Sequence, residues 1–375
     1  MRIDNFTIQL LFPSQKYTQT INSQLSIINY QLKKSYLCKQ NRTEMSQPSQ
    51  QVCVKLTGVS ALMHFLVDGL CICCLHLTTT GTTNIVMTYV TYNVLAFLTQ
   101  PLTGWWADRM KQRHWLLIGS VVVLTFAVLT ASAMTDSGWQ TMGYGLPITS
   151  VLLGMGNSLF HVWGGKQVAV HTGNDIRSLG VFVSTGAFGL AVGAVFASWL
   201  LLYVFLLAMG VLAMKALPIP SLEGEGGIST HEDTNKQGND SFISGKVTGV
   251  FLLLLIMLMV AGRSFAGEAF TTGVTKGAML ILVLGGVSML GKMAGGWIAQ
   301  SMGIWKALLF LVAGTVLCFF GKDLHIVVML TGLFLINCTM PITLYWANAL
   351  LKGHEGLAFG LLAAALIPGY LLATF

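Results

Sequence analysis

The sequence predicts an all-α, polytopic membrane helix bundle of two pseudo-repeated six-helix halves, with the last helix of the second half missing. Three observations carry this expectation. Charged residues make up 9% of the chain and hydrophobic residues 54%, against about 25% charged in a water-facing domain, and the mean hydropathy is +0.70. That is too little charge to cover a soluble surface, so a soluble enzyme and a disordered chain are both excluded. Apolar stretches of bilayer-spanning length, about 20 residues each, recur along the chain. Two short motifs also repeat at nearly one offset. Lys55-Leu-Thr-Gly-Val59 returns as Lys246-Val-Thr-Gly-Val250, and Gly104-Trp-Trp-Ala opens a stretch matched by Gly296-Trp-Ile-Ala, 191 and 192 residues later.

Residues 1–54 form a polar tail rich in Gln, Asn, Ser and Thr, without a signal-peptide pattern. The tail reads as disordered or as a misassigned start, with Met45 as a second initiation candidate. The expected spans are 56–77, 83–106, 115–134, 143–163, 178–197, 199–216, 247–269, 276–299, 304–320, 325–347 and 356–375. Each is expected to be helical, because lipid leaves backbone polar groups only internal partners. The ten-residue alternation of a membrane β-barrel is absent. The fifth and sixth spans are divided only near Ser198. Residues 218–246 are rich in Gly, Ser and acid and read as a linker. It separates a six-helix bundle, 55–217, from a five-helix one, 247–375. Either the twelfth helix lies outside this sequence or the gene product is truncated. The 41 glycines suit helices that approach closely in a bilayer.

The net charge of +7 is dispersed between apolar runs, which favours membrane orientation over nucleic-acid binding. With the N-terminus inside, eleven basic residues fall on inner segments: Lys55, Arg109, Lys111, Arg113, Lys166, Arg177, Lys215, Lys236, Lys246, Lys306 and Lys352. Only Lys276 and Lys322 fall outside. This positive-inside bias sets a cytoplasmic N-terminus, and the expected location is a bacterial inner (plasma) membrane. Of the seven cysteines, Cys71, Cys73 and Cys74 share one helix but point in different directions, so they form no four-ligand zinc site. They read as small apolar filler; no metal and no disulfide framework is expected.

The run Gly104–Arg113, GWWADRMKQR, resembles the loop motif after the second helix of the major facilitator superfamily. His64-x-x-x-Asp68, Gln100-Pro101, Phe160-His161 and the stretch Ala347–Gly360 resemble the fosmidomycin-resistance branch. The similarity spans about residues 55–375. It implies a transporter whose two bundles rock about a midplane site, moving a small-molecule substrate by alternating access. It further implies a conformational latch at Gly104, Asp108, Arg109 and Arg113, the basic residues serving otherwise as plain topology markers. The second-half motif departs from the pattern, with Gln300-Ser301 in place of the acid-base pair. Gly180, Gly189 and Gly193 resemble the spacing of an antiporter motif, but Ala194 stands where its proline belongs. With Gly186 these glycines also permit close helix packing.

Only Asp68 and Glu268, of fourteen acidic residues, fall within expected spans. A carboxylate there is costly and normally faces a wet cavity or a partner. Asp68 and His64 share a helical face and are candidates for holding a coupling proton, or else form a static pair that fixes packing. Arg263, at matching depth in the seventh span, either pairs with Asp68 or holds an anionic group in its planar fork. Lys292 either lines the cavity or snorkels to an interface. Asn93, Asn157, His161, Asn337 and Tyr345 are candidate cavity linings or interhelical ties. No catalytic constellation, nucleotide-binding loop or cofactor motif is present. Energy is then expected from protons, about 2.3 kcal/mol for each crossing 100 mV. The sequence thus predicts a monomeric, proton-coupled secondary transporter working in efflux. Proton-coupled uptake of a small anionic metabolite is the alternative, and a membrane sensor that no longer transports is the reading from another class.

Overall fold

The computed structural model describes residues 47–79, 85–110, 114–136, 145–217 and 239–374, all of whose regular structure is helical. Ten helical stretches among them are long and apolar enough to cross a membrane, and the fold is a polytopic helical bundle. Residues 51–220 and 257–375 form one compact unit, described below. The other unit contributes residues 47–50 and 239–256 to the described residues.

The chain begins with α1, Gln47–Thr79. The second span is interrupted: α2, Ile85–Asn93, passes through a π turn, Val94–Leu98, into α3, Gln100–Ala107. Pro101 explains the interruption, because it has no N–H to continue the helical ladder. The Gln100 side chain compensates by donating from Nε2 to the Ala96 carbonyl at 2.7 Å. Next come α4, His114–Asp136, α5, Gly145–His171, α6, Ile176–Val195, and α7, Trp199–Ala216. The division expected near Ser198 is present, since Ser198 caps α7 by accepting from Leu201 N at 3.2 Å.

The rest comprises α8, Asn239–Thr271, α9, Ala278–Met302, and α10, Ile304–Gly321. The last two spans are each broken, as α11, Ile326–Asn337, with α12, Met340–Leu350, and as α13, Glu355–Ala364, with α14, Leu366–Thr374. Pro341 and Pro368 lie just beyond the two breaks, where a missing N–H again stops the ladder. Two boundaries differ from expectation. α1 starts within the stretch read as tail, and α8 starts within the stretch read as linker. Helical bonding propagates beyond the apolar segment once a packed span nucleates it. The remainder of both stretches, 1–46 and 218–238, lies outside the described residues.

The fourth expected span corresponds to α5, which is not among the ten apolar stretches. Its position accounts for this. α5 packs against α2, α3, α4, α6 and α13, so it has little lipid to face. Asn157, His161, Lys166, Gln167 and His171 are buried along it.

Two seams join the earlier helices to the later ones: α6 runs against α9, and α3 against α13. Both rest on glycine. Gly180 lies on the Lys292 carbonyl of α9, Gly104 on the Gly356 backbone and Gly360 on the Gln100 backbone. On the other face of α6, Gly189 and Gly193 meet the Phe65 and Gly69 carbonyls of α1. Lipid tails are as apolar as leucine, so such close backbone approach replaces hydrophobic burial as the packing force.

Candidate functional site

A cavity of about 200 Å³ opens within this bundle, and α1, α2, α5, α6, α8, α9, α12 and α13 contribute to its lining. Asp68 is the hub of one wall. Its Oδ2 lies 3.2 Å from His64 Nε2 and its Oδ1 lies 3.4 Å from His161 Nε2. Asn157 Nδ2 donates to Oδ1 at 2.9 Å. Periodicity builds the cluster: His64 is one turn before Asp68 on α1, and Asn157 is one turn before His161 on α5.

Both imidazoles are held from behind. His64 Nδ1 is 2.7 Å from the Phe182 carbonyl, and His161 Nδ1 is 2.9 Å from the Asn157 carbonyl. A carbonyl only accepts, so these contacts assign the hydrogen to Nδ1 on each ring. Each Nε2 therefore faces the carboxylate with a lone pair, or with a second proton when the ring is charged. The two rings meet edge to face with centroids 4.5 Å apart, and Phe182 lies 5.0 Å from His64. This packing fixes their aim. His64, Asp68 and His161 could bracket a metal ion, their ligand atoms lying within 4.8 Å of one another. Two cationic side chains on the same cavity, Arg263 and Lys292, oppose a divalent cation there.

Asn93, Gln100 and Arg263 line the cavity, and Tyr92 and Phe359 join them. Three candidates sit elsewhere. Glu268 is half-buried outside the lining, because five residues beyond Arg263 turns it to another face of α8. Asn337 instead donates to the Leu333 carbonyl at 2.8 Å and reaches Ser288 Oγ on α9 at 3.5 Å. Tyr345 is buried outside the lining, and its carbonyl accepts from Asn174 Nδ2 at 3.0 Å.

Gly186 stands directly behind the cluster, where a Cβ would meet Asp68 Oδ2 and His64 Nε2. Gly186→Ala is expected to displace that pair and lower transport strongly, while yield and thermal unfolding change little. Reconstituted flux beside a melting curve checks this, and full activity would show that the pocket simply yields.

A second constellation lies at the loop-motif end. Asp108 Oδ1 and Oδ2 accept from Gly356 N at 3.0 Å and Leu357 N at 2.8 Å, the first free N–H groups of α13. Lys166 of α5 pairs with Asp108 Oδ1 at 3.0 Å and donates to the Ala107 carbonyl at 2.8 Å. Both side chains are buried. Gly104 sits one turn earlier against Gly356. Arg109 does not join them. It is exposed, stacks 3.7 Å above the Trp105 ring and donates to the Trp105 carbonyl, since the residue after Asp108 points away from α13. Arg113 lies outside the described residues.

Sequence reasoning missed one further contact at this end. Asn174 lies in the α5–α6 turn at φ 61°, a left-handed conformation that asparagine tolerates. Its Oδ1 accepts from Asn348 Nδ2 at 3.0 Å. The turn signal Gly173-Asn174-Asp175 was visible in the sequence, but its partner 174 residues away was not. A double-mutant cycle of Asn174→Ala and Asn348→Ala is expected to give a coupling of about 1 kcal/mol. It is read as the change in reagent access to the loop-motif end, and strict additivity would show the two asparagines to be uncoupled.

Residues 57–322 match the family described as the Major Facilitator Superfamily. Among solved structures, a crystal structure of a mutant of the nucleoside transporter NupG is similar at 13% identity and a TM-score of 0.48. That similarity covers 86% of this chain and 91% of the other. No curated protein matches the chain. With the family match spanning most of its length, the chain belongs to the Major Facilitator Superfamily and is an integral membrane transporter, not an enzyme.

Proposed function

We propose that the protein is a monomeric, proton-coupled exporter of a small solute, working by alternating access between two pseudo-repeated bundles. The observation that carries the reading is Asp68, a buried carboxylate facing two backbone-anchored imidazoles on the wall of a cavity. A proton placed on either Nε2 turns a bare contact into a charge-assisted hydrogen bond. Its departure restores the starting state without moving the backbone. Such a load changes the local charge by one unit, which biases two conformations that expose the cluster to different sides.

The Asp108–Lys166–α13 contact supports alternation, because it ties α3 and α5 to α13 at the loop-motif end through groups able to separate. In this reading that end is cytoplasmic and the membrane is a bacterial plasma membrane, as the basic loops suggest. The likeness of His64, Asp68 and Phe160-His161 to the fosmidomycin-resistance branch, and of the α6 glycines to an antiporter motif, favours export by exchange with protons. Uptake of a small anion by the same cavity is the second reading, favoured by Arg263 and Lys292.

Inverted vesicles with an acidic lumen separate the two. Export predicts that lactate or methylphosphonate accumulates inside them as the pH gradient is spent. Accumulation only in right-side-out vesicles with an acidic exterior makes the protein an importer. Binding of these solutes without flux in either preparation turns the reading to a sensor.

A further inference from the structure

The cavity that holds the acid–imidazole cluster is also lined by Arg263 of α8 and Lys292 of α9. Arg263 is 9% exposed and its Nε has no hydrogen-bond partner among the described residues. Lys292 makes no hydrogen bond or ion pair to any described residue. Asp68 can offset only one of the two charges, and its oxygens already face His64, His161 and Asn157. With one carboxylate against two cations, the cavity keeps an excess of one positive charge while the imidazoles are neutral. Unpaired charge inside a membrane protein is costly and marks the place of an absent partner.

We infer that the missing partner is the substrate: a small oxyanion, carboxylate or phosphoryl in kind, gripped by Arg263 and Lys292. This deepens the transport reading and rests on it. The guanidinium offers a planar fork that fits either oxyanion in two parallel hydrogen bonds, and the ammonium adds a point charge. Phe97, Val183, Leu344 and Phe359 give the lining an apolar part, and Tyr92, Asn93, Gln100 and Thr343 a polar one, so the solute carries a short, partly apolar body beside its charge. At about 200 Å³ the cavity falls below the roughly 300 Å³ at which drug-sized ligands begin to fit. Bulky amphiphiles and organic cations are excluded, the first by volume and the second by the two like charges they would face.

The test uses the purified full-length chain in detergent at constant ionic strength, with thermal unfolding as the readout. The probes are acetate, lactate, inorganic phosphate and methylphosphonate, with glycerol and choline as the neutral and cationic comparisons. At least one oxyanion is expected to raise the melting temperature, and glycerol and choline are not. In Arg263→Gln and in Lys292→Met the concentration needed is expected to rise about tenfold to a hundredfold, as for loss of a charged hydrogen bond. Arg263→Lys recovers part of the loss. Without ligand, Arg263→Gln is expected to melt no lower than the parent, because it removes an unpaired buried charge. A structural partner in that position would melt lower.

The proposal is overturned if none of the four oxyanions stabilises, if glycerol or choline stabilises equally, or if both variants respond like the parent. Reconstituted flux of the stabilising anion keeps this separate from the transport reading. Stabilisation without flux leaves the anion pole standing and removes transport. Flux of glycerol or choline alone removes the anion pole and leaves transport standing.

Discussion

Asp68→Asn is expected to abolish pH-gradient-driven transport while leaving downhill exchange of substrate across the bilayer. The amide keeps the size of the side chain and can still bond to Asn157, so the fold has no reason to fail. What it lacks is the negative charge that both imidazole Nε2 atoms face at 3.2 and 3.4 Å. An imidazolium formed beside an amide would have no counter-ion, in a cavity that already holds Arg263 and Lys292. Protonation would then be opposed by like charge rather than rewarded by an ion pair. Proteoliposomes carrying the anion that binds the parent protein decide the point. Gradient-driven accumulation equal to that of the parent would take the proton away from Asp68.

Asp108→Ala has the next largest expected effect, this time on conformation. It deprives Gly356 and Leu357 of their acceptor and leaves the buried Lys166 ammonium without a counter-ion. Breaking a buried pair by removing one partner costs about 3–5 kcal/mol. The closed loop-motif end should therefore lose about two to four orders of magnitude in relative population. Spin labels on the exposed ends of α3 and α13 should report a long distance in the variant where the parent shows a short one. Removing both partners, with Lys166→Ala added, should be milder than removing Asp108 alone, because no orphan charge remains. An unchanged distance distribution would reduce Asp108 to a helix cap without a gating role.

The candidate site was legible in the sequence where one helix supplied both members of a contact. His64 and Asp68 are one turn apart, as are Asn157 and His161, so the pairs could be read from spacing alone. That α1 and α5 bring the pairs together depends on packing, which no spacing reveals, and Gly186 of α6 leaves the room that Asp68 and His64 occupy. Rotation about a helix axis separates residues that share a span. Glu268 and Arg263 lie in one apolar run but on different faces, and Arg109 turns away from the contact that its neighbour makes. Asn337 and Tyr345 looked alike as polar residues in a span, yet one ties α11 to α9 and the other lies where its carbonyl meets the α5–α6 turn. In sequence Lys166 is one basic residue among the inner segments, because its partner, Asp108, is 58 residues away.

The glycine seam between α3 and α13 has a mechanical corollary. Gly104 and Gly360 bring bare main chain against main chain, with no side chain between to stretch or swivel as the helices part. Dispersion forces fall by about a quarter to a half over the first 0.5–1 Å of separation, and a slit that thin is still too narrow to be wetted. Every part-open width is thus worse than either end point. The seam should snap rather than slide, and a single molecule watched over time should dwell shut or ajar, with nothing lingering in between.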